Sequence, residues 1–222
     1  MNINKNKINL STKNTSNLVN YVATQLHNIF PDESISNDKE VISEIIFPSL
    51  ERLEPIIFNV KGFQDETFNH FNSLQYCTFL YLLANQYWLT FKNNTMADRL
   101  FNLNRTLNGI DIFYTVKMPE IFFISHGQGT VLGNTSYGNR LVIFHNVTVG
   151  RIDDLKPTIG NNVVMYPGSV VTGNSKIGNN TVISANTVIH NKVVPDNVLV
   201  KTIGNKLEFF PLKEDYLSLY LK

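Results

Sequence analysis

Over the first hundred residues, apolar positions recur at helical spacing. Leu18, Val22, Leu26 and Phe30 follow at four-residue steps and Pro31 ends the run, which predicts an amphipathic helix. Val41, Ile45 and Ile46 open a second helix, with Pro48 as its expected break, because proline lacks the amide donor and crowds the preceding turn. From Phe68 to Phe91, Phe, Tyr and Leu crowd around Trp88 on more than one face, predicting a helix buried on all sides. Thr95 to Leu107 reads as a further helix, capped by Asn94 or Thr95, with Met96, Leu100, Phe101 and Leu103 inward.

Near residue 110 the helical period gives way to a period of six. From Ile159 the chain reads IGNNVV, MYPGSV, VTGNSK, IGNNTV, ISANTV and IHNKVV. The first positions are Ile159, Met165, Val171, Ile177, Ile183 and Ile189, and the fifth are Val163, Ser169, Ser175, Thr181, Thr187 and Val193. A strand of two or three residues followed by a tight turn makes one side of a prism. Three sides make a coil, and coils stack at the strand spacing of about 4.8 Å. The aliphatic first position points into the prism, the small fifth position fits the corner, and the Gly-Asn and Asn-Asn pairs tolerate the turns. The pattern predicts a parallel β-helix of hexapeptide repeats.

Upstream, Tyr137, Ile143 and Val149 share one phase and Leu132 holds another. Val149 and Ile159 are ten residues apart, so four residues must leave the prism as a loop within 150–158. Residues 110–130 form an irregular first coil. After Pro211, Leu212, Tyr216 and Leu219 return to a helical pattern, predicting a short C-terminal helical tail that caps the open end of the prism. The expected fold class is α+β: a polar, flexible N-terminus at 1–15, an α-helical domain at 16–109, a β-helix at 110–204 and a capping segment at 205–222.

Composition narrows the functions. With 222 residues, 43% hydrophobic, the chain can bury a core and is not disordered throughout. A net charge of +1 argues against a broad nucleic-acid or anionic-membrane surface. Cys77 is the one cysteine, so neither an intrachain disulfide nor a cysteine zinc site can form, and a reducing cytoplasm is the expected location. The opening MNINKNKINLSTKN lacks the apolar core of a secretion signal. The most apolar run, Cys77 to Ala84, is far short of the roughly 20 residues of a membrane span.

A prism filled with side chains has no internal pocket, so chemistry must sit on its outside, on loops or between subunits. His126 lies in SHGQGTVLG and His145 in FHNVTVG. An imidazole, ordinarily titrating near 6.5, is a natural base toward a hydroxyl at neutral pH, and it needs a carboxylate to orient it. Asp111, Glu120, Asp153 and Asp154 are the acidic residues of this region. His27 and His70 fall in the helical part, and His190 takes the second position of its block, so none is given a role.

From about Asn104 to Val200 the chain resembles the catalytic half of serine O-acetyltransferases, in the hexapeptide-repeat acyltransferase superfamily. Asp111-Ile112 is followed, fourteen residues after the isoleucine, by His126, then by Gly127-Gln128-Gly129 and Val131-Leu132-Gly133. Next come Phe144-His145-Asn146-Val147-Thr148-Val149-Gly150 and, after a loop, Pro157-Thr158-Ile159-Gly160. The resemblance implies a left-handed β-helix and transfer of acetyl from acetyl-CoA to an acceptor hydroxyl by direct attack. In that reading His126 is the general base, Asp111 orients it, and no metal takes part. His145, Lys156 and Ser125 fall on the acceptor side. Gly150, Tyr166, Gly168, Ser169 and Ala185 line the coenzyme, with Lys192 and Lys201 toward its phosphates. The assembly implied is a homotrimer, or two trimers joined through the helical domains.

This chain departs from the family at four places. Ser125 stands where the family carries Asp, and Lys156 where it carries a second His. The 150–158 loop is short, and Val200-Lys201-Thr202-Ile203 replaces a Gly-x-Pro-Ala motif. The acceptor is therefore either serine-like or a sugar hydroxyl, as in proteins that modify a surface polysaccharide or its precursor. Two other classes compete. A γ-carbonic-anhydrase-like metalloenzyme needs a close histidine pair, whereas the spacings here are 19 and 45 residues. A non-catalytic scaffold would have no use for the Asp111–His126 spacing.

Overall fold

The computed structural model describes residues 8–31, 37–63 and 66–222. Two short strands, β1 (Asn9–Leu10) and β2 (Thr67–Phe68), pair in parallel beside four helices: α1 (Thr15–Ile29), α2 (Asp38–Asn59), α3 (Ser73–Phe91) and α4 (Thr95–Asn108). Residues 1–7 lie outside the description. The remainder of the expected flexible terminus is ordered by β1 and by Asn14, whose Oδ1 accepts the Asn17 amide at 3.0 Å and caps α1.

Pro48 does not break α2, which runs on through Pro48 and Pro55. Each proline forfeits a helical hydrogen bond, at about 3 kcal/mol or more. Burial of Ile42, Ile45, Ile46, Leu50, Leu53, Ile56 and Ile57 along one stripe outweighs this, at about 1.5–3 kcal/mol per large side chain. Helix α3 is buried on every side from Gln75 through Asn85. Helix α4 ends at Gly109, in the left-handed conformation, with its amide bonded to the Arg105 carbonyl.

From Asp111 the chain coils about five times through three sheets. The first face stacks β4 (Phe122–Ile124), β7 (Leu141–Ile143), β10 (Val163–Met165), β13 (Thr181–Ile183) and β16 (Val198–Ile203). The second stacks β3 (Asp111–Ile112), β5 (Val131–Leu132), β8 (Thr148–Gly150), β11 (Val170–Thr172) and β14 (Val188–His190). The third stacks β6 (Ser136–Tyr137), β9 (Thr158–Ile159), β12 (Lys176–Ile177) and β15 (Val193–Val194). All these pairs are parallel, and the six-residue period is realised as Ile159↔Ile177, Met165↔Ile183 and Val171↔Ile189. In the last coil one residue is lost. Ile177 pairs with Val194, so Val193 turns out to solvent and is not the small corner residue its position predicted.

The ten-residue gap behaves as expected. Val149 pairs with Val171, and the extra residues form a small outward turn closed by reciprocal Ile152–Leu155 backbone bonds at 3.0 Å. At one corner Asn139, Asn161, Asn179 and Asp196 form a ladder, each side chain accepting a backbone amide from the coil before. These bonds satisfy amides the strands leave unpaired.

The C-terminal segment departs from the expected helical cap. It forms β17 (Lys206–Pro211), antiparallel to β16, and then only a 3-10 turn at Leu217–Leu219. The reason lies on the first face, whose middle residues Phe123, Val142, Val164 and Val182 are apolar and buried although they point away from the prism. Phe63 meets Phe123 edge-on at 5.6 Å, and the tail packs beside this face. Tyr220 meets Phe144 edge-on at 5.3 Å, Leu221 bridges to Val60, and the Lys222 amide donates to the Asn59 carbonyl at 2.8 Å. The third face is polar outward at Ser136, Thr158 and Lys176 and apolar only at the exposed Val193 of its last coil.

Candidate active site

The second face keeps apolar surface without a cover: Val131 is 43% and Val188 54% exposed. At its corner with the first face, the first coil holds two more residues than the others. Ile124 to Leu132 takes eight residues, where Ile143 to Val149, Met165 to Val171 and Ile183 to Ile189 take six. The insertion carries His126. That residue is exposed, with φ at +54°, a left-handed value uncommon outside glycine and asparagine. Gly129, Asn146, Gly168 and Asn186 supply the left-handed position common to every coil, so the His126 conformation is an addition to it. The signal was present in the sequence as the eight-residue gap.

Backbone contacts fix this turn to the helical domain. The Gly129 amide donates to the Gly109 carbonyl and the Asp111 amide to the Thr130 carbonyl, both at 2.9 Å. Asp111 thus stands one strand from the histidine turn. Its carboxylate is nevertheless engaged elsewhere, with Oδ2 3.4 Å from Arg105 Nε, and no hydrogen bond or ion pair joins it to His126. Sequence reasoning missed Arg105, which stands six residues before Asp111. Ser125 is buried. His145 occupies the same corner one coil on, half-buried, and its Nδ1 is enclosed without a hydrogen-bond partner among the described residues. Lys156 lies exposed in the outward turn after Gly150.

The residues expected along the coenzyme divide. Gly150 ends β8 on the open second face, and a Cβ there would meet only Thr172 Cγ2, at 4.0 Å. Neither packing nor a left-handed φ requires glycine at 150. Gly168 is the opposite case: its φ is +71°, and a Cβ would lie 2.3 Å from Asn186 Oδ1. Ser169 is fully buried in the corner column and has no access to a ligand. Tyr166 stacks on Phe144 at 5.2 Å and shares a 3.0 Å hydrogen bond with the Tyr220 hydroxyl. Burial, then that bond, push its phenol well above the ordinary range. All three make contacts the fold uses, and for Tyr166 the partner tail is remote in the chain.

Ala185 is exposed at the corner. Lys201 lies 4.9 Å over the Phe210 ring on the β16–β17 hairpin. Lys192 instead lines a cavity of about 520 Å³ with Val188, His190, Asn205, Lys206 and Phe209, between the hairpin and the last strand of the second face. Lys206 and His190 are therefore basic groups at this end that sequence reasoning left out. Among the described residues no group of three His, Cys, Asp or Glu converges as a metal site, and no helix is long and apolar enough to cross a membrane.

The geometry is that of a helical domain leading into a hexapeptide β-solenoid, with an exposed histidine at the first-coil corner. Residues 156–191 match the family model for the bacterial transferase hexapeptide (six repeats). Serine acetyltransferases are among the relatives found. That of Synechococcus elongatus is 34% identical over 124 residues, 53% of this chain and 51% of the relative. That of Staphylococcus epidermidis is 32% identical over 114 residues, 49% and 54% respectively. The chain spans about half the length of these curated relatives. Among solved structures, serine acetyltransferase from Vibrio cholerae superposes with a TM-score of 0.71 at 19% identity, covering 91% of this chain and 81% of that one. The Brucella abortus enzyme gives 0.68 at 19%, covering 88% and 83%. The chain has the serine acetyltransferase fold.

Proposed function

We propose that this protein is an acetyl-CoA-dependent O-acetyltransferase acting on a small hydroxyl acceptor, with L-serine the first candidate. The observation that carries the reading is the two-residue insertion that lifts His126 out of an otherwise regular corner, beside the one face left open. One neighbour of known structure is a serine acetyltransferase complex with CoA, superposing at a TM-score of 0.69 and 18% identity over 90% of this chain and 86% of that one. Along the second face, Gly150 leaves room against the backbone, and Lys192, Lys206 and His190 gather three coils beyond that of His126, about 14 Å at strand spacing. An extended thioester cofactor has its acetyl group at His126 and its phosphates at that basic end.

In the reaction, His126 takes the proton from the acceptor hydroxyl as its oxygen attacks the thioester carbonyl. The tetrahedral intermediate collapses with C–S cleavage, and the imidazolium returns the proton to the departing thiolate, leaving an ester and free CoA. Asp111 orients the imidazole, a contact of the kind that tightens only in the loaded site. In this reading amides near Gly150, or a cation of the adjacent exposed turn such as Lys156, receive the developing oxyanion. Cys77 takes no part: it is fully enclosed in α3. The exposed apolar ridge of the second face is completed by neighbouring copies in a trimer.

A second reading, a sugar hydroxyl as acceptor, is favoured by one observation. Asp111 is paired with Arg105 and Ser125 is buried, so the corner offers no free carboxylate to hold an ammonium group. Release of free CoA from acetyl-CoA, measured with L-serine, homoserine and sugar acceptors, decides between them. His126→Ala is expected to reduce turnover by about two to four orders of magnitude at unchanged thermal stability. Near-normal turnover in that variant refutes the base assignment.

A further inference from the structure

A cavity of about 270 Å³ opens where the helical domain meets the first coil, and the reaction above makes no use of it. Glu51, Arg52 and Pro55 of α2, Leu82 of α3 and the 118–120 segment that leads into β4 line it. Leu82 and Met118 are buried, Arg52 and Pro55 half-buried, and Glu51 and Glu120 exposed. Hydrogen bonds from α3 hold the coil side of this junction in place. The Tyr81 hydroxyl donates to the Val116 carbonyl at 2.6 Å and accepts the Met118 amide at 3.2 Å. Asn85 Nδ2 donates to the Tyr114 carbonyl at 2.5 Å.

Arg52 stands in the cavity wall without a counter-charge. Its Nη2 donates to Asn85 Oδ1 at 2.7 Å and its Nη1 to Gln86 Oε1 at 3.3 Å, both neutral amides, and it forms no ion pair among the described residues. Arg99 shows the usual arrangement, bonded to Asp38 through both Nη groups at 2.5 and 2.9 Å. A guanidinium taken partly out of water is costly unless an anion compensates it. Desolvation draws Arg52 down from the ordinary arginine range, with Tyr81 opposing. The amides fix the planar head and leave it further N–H donors.

We propose that this junction cavity binds a small free α-amino acid with a short apolar side chain, its carboxylate on Arg52 and its ammonium toward Glu51 and Glu120. A fixed guanidinium facing open space matches a carboxylate. Two carboxylates lining the same cavity repel phosphates and other polyanions and favour one positive group on the ligand. Pro55, Leu82 and Met118 supply the apolar wall. The volume falls just under the roughly 300–1,000 Å³ of drug-sized ligand cavities, so the occupant is small. The site shares no residue with the acceptor corner, and its occupancy is independent of the acetyl-transfer reading.

Isothermal titration calorimetry on the whole protein, without acetyl-CoA, tests this with a matched set: L-valine, isobutylamine, which lacks its carboxylate, and isovalerate, which lacks its ammonium. L-Valine is expected to bind saturably with Kd below about 10 mM, and each truncated compound at least about tenfold more weakly. Arg52→Gln loses on the order of tenfold or more in affinity, and Arg52→Lys restores part of it. The double variant Glu51→Gln/Glu120→Gln shows a similar loss, and because both residues are exposed and form no ion pair among the described residues it keeps the test open should Arg52→Gln fail to fold. His126→Ala binds as wild type does. The proposal is overturned if L-valine does not bind, if either truncated compound binds equally well, if Arg52→Gln or the double variant retains the affinity, or if His126→Ala abolishes it, which assigns the ligand to the acceptor corner.

Discussion

Replacing Gly150 and Gly168 by alanine separates a glycine the fold requires from one it does not. At 168 the backbone is left-handed, costing an alanine roughly 1–2 kcal/mol, and the new Cβ would stand 2.3 Å from Asn186 Oδ1. With the corner forced to shift, the total loss is about 2–4 kcal/mol, a fall in Tm of about 5–15 °C for a chain this size. At 150 φ lies outside the left-handed region and the nearest neighbour, Thr172 Cγ2, is at van der Waals distance, 4.0 Å. Alanine there restricts the unfolded chain and stabilises by about 0.4–1 kcal/mol, raising Tm by about 1–4 °C. The methyl group projects onto the open second face, where the cofactor is proposed to pass. The KM for acetyl-CoA is therefore expected to rise about tenfold, equivalent to about 1.4 kcal/mol. Thermal unfolding followed by circular dichroism, and CoA release titrated against acetyl-CoA, measure the two effects. A stable Gly150→Ala protein with unchanged KM refutes the cofactor path. A destabilised one refutes the steric account of position 150.

Two further outcomes follow from the helical domain. Pro48→Ala restores an amide donor for the Glu44 carbonyl within uninterrupted α2, less the entropy proline removes from the unfolded chain. The net gain is about 1–2 kcal/mol in denaturant unfolding, and no gain would mean the helix has adapted its packing to the ring. Burial in α3 pushes the Cys77 thiol up to about 12 from an ordinary value near 9, partly offset by Asn104. Because the folded value is the raised one, the contribution is intact below about pH 9 and is lost as pH rises toward 12, as the unfolded thiol ionises first. Folded protein should resist alkylation at pH 8 and react on unfolding; rapid labelling of native protein would refute the burial.

Most of the fold was legible because its signals are local. A six-residue repeat encodes the strand, the turn and the inward column together, and the same count gave the outward turn after Gly150. The site was legible only in part. His126 stood out by residue type, yet its presentation depends on an insertion visible only when the repeat is counted back to Ile124. Asp111 matched a spacing, but its carboxylate meets Arg105, one turn inside the preceding helix, and helical pattern carries no information about that side chain's reach. Tyr166 and Ser169 sit at corners that look alike in sequence, while their packing partners come from other coils and the remote tail.

The sequence by itself determined the two architectures and their junction, since helical and hexapeptide periods each follow from short-range geometry that no distant contact can imitate. Only the tertiary structure decided which of three prism faces is free. The first carries the chain's own last residues, with Tyr220 on Phe144, the third exposes Val193 only in its last coil, and the second keeps exposed Val131 in the coil of His126. That choice rests on contacts between residues far apart in the chain, such as Tyr220 with Phe144 and Leu221 with Val60, which no local period encodes.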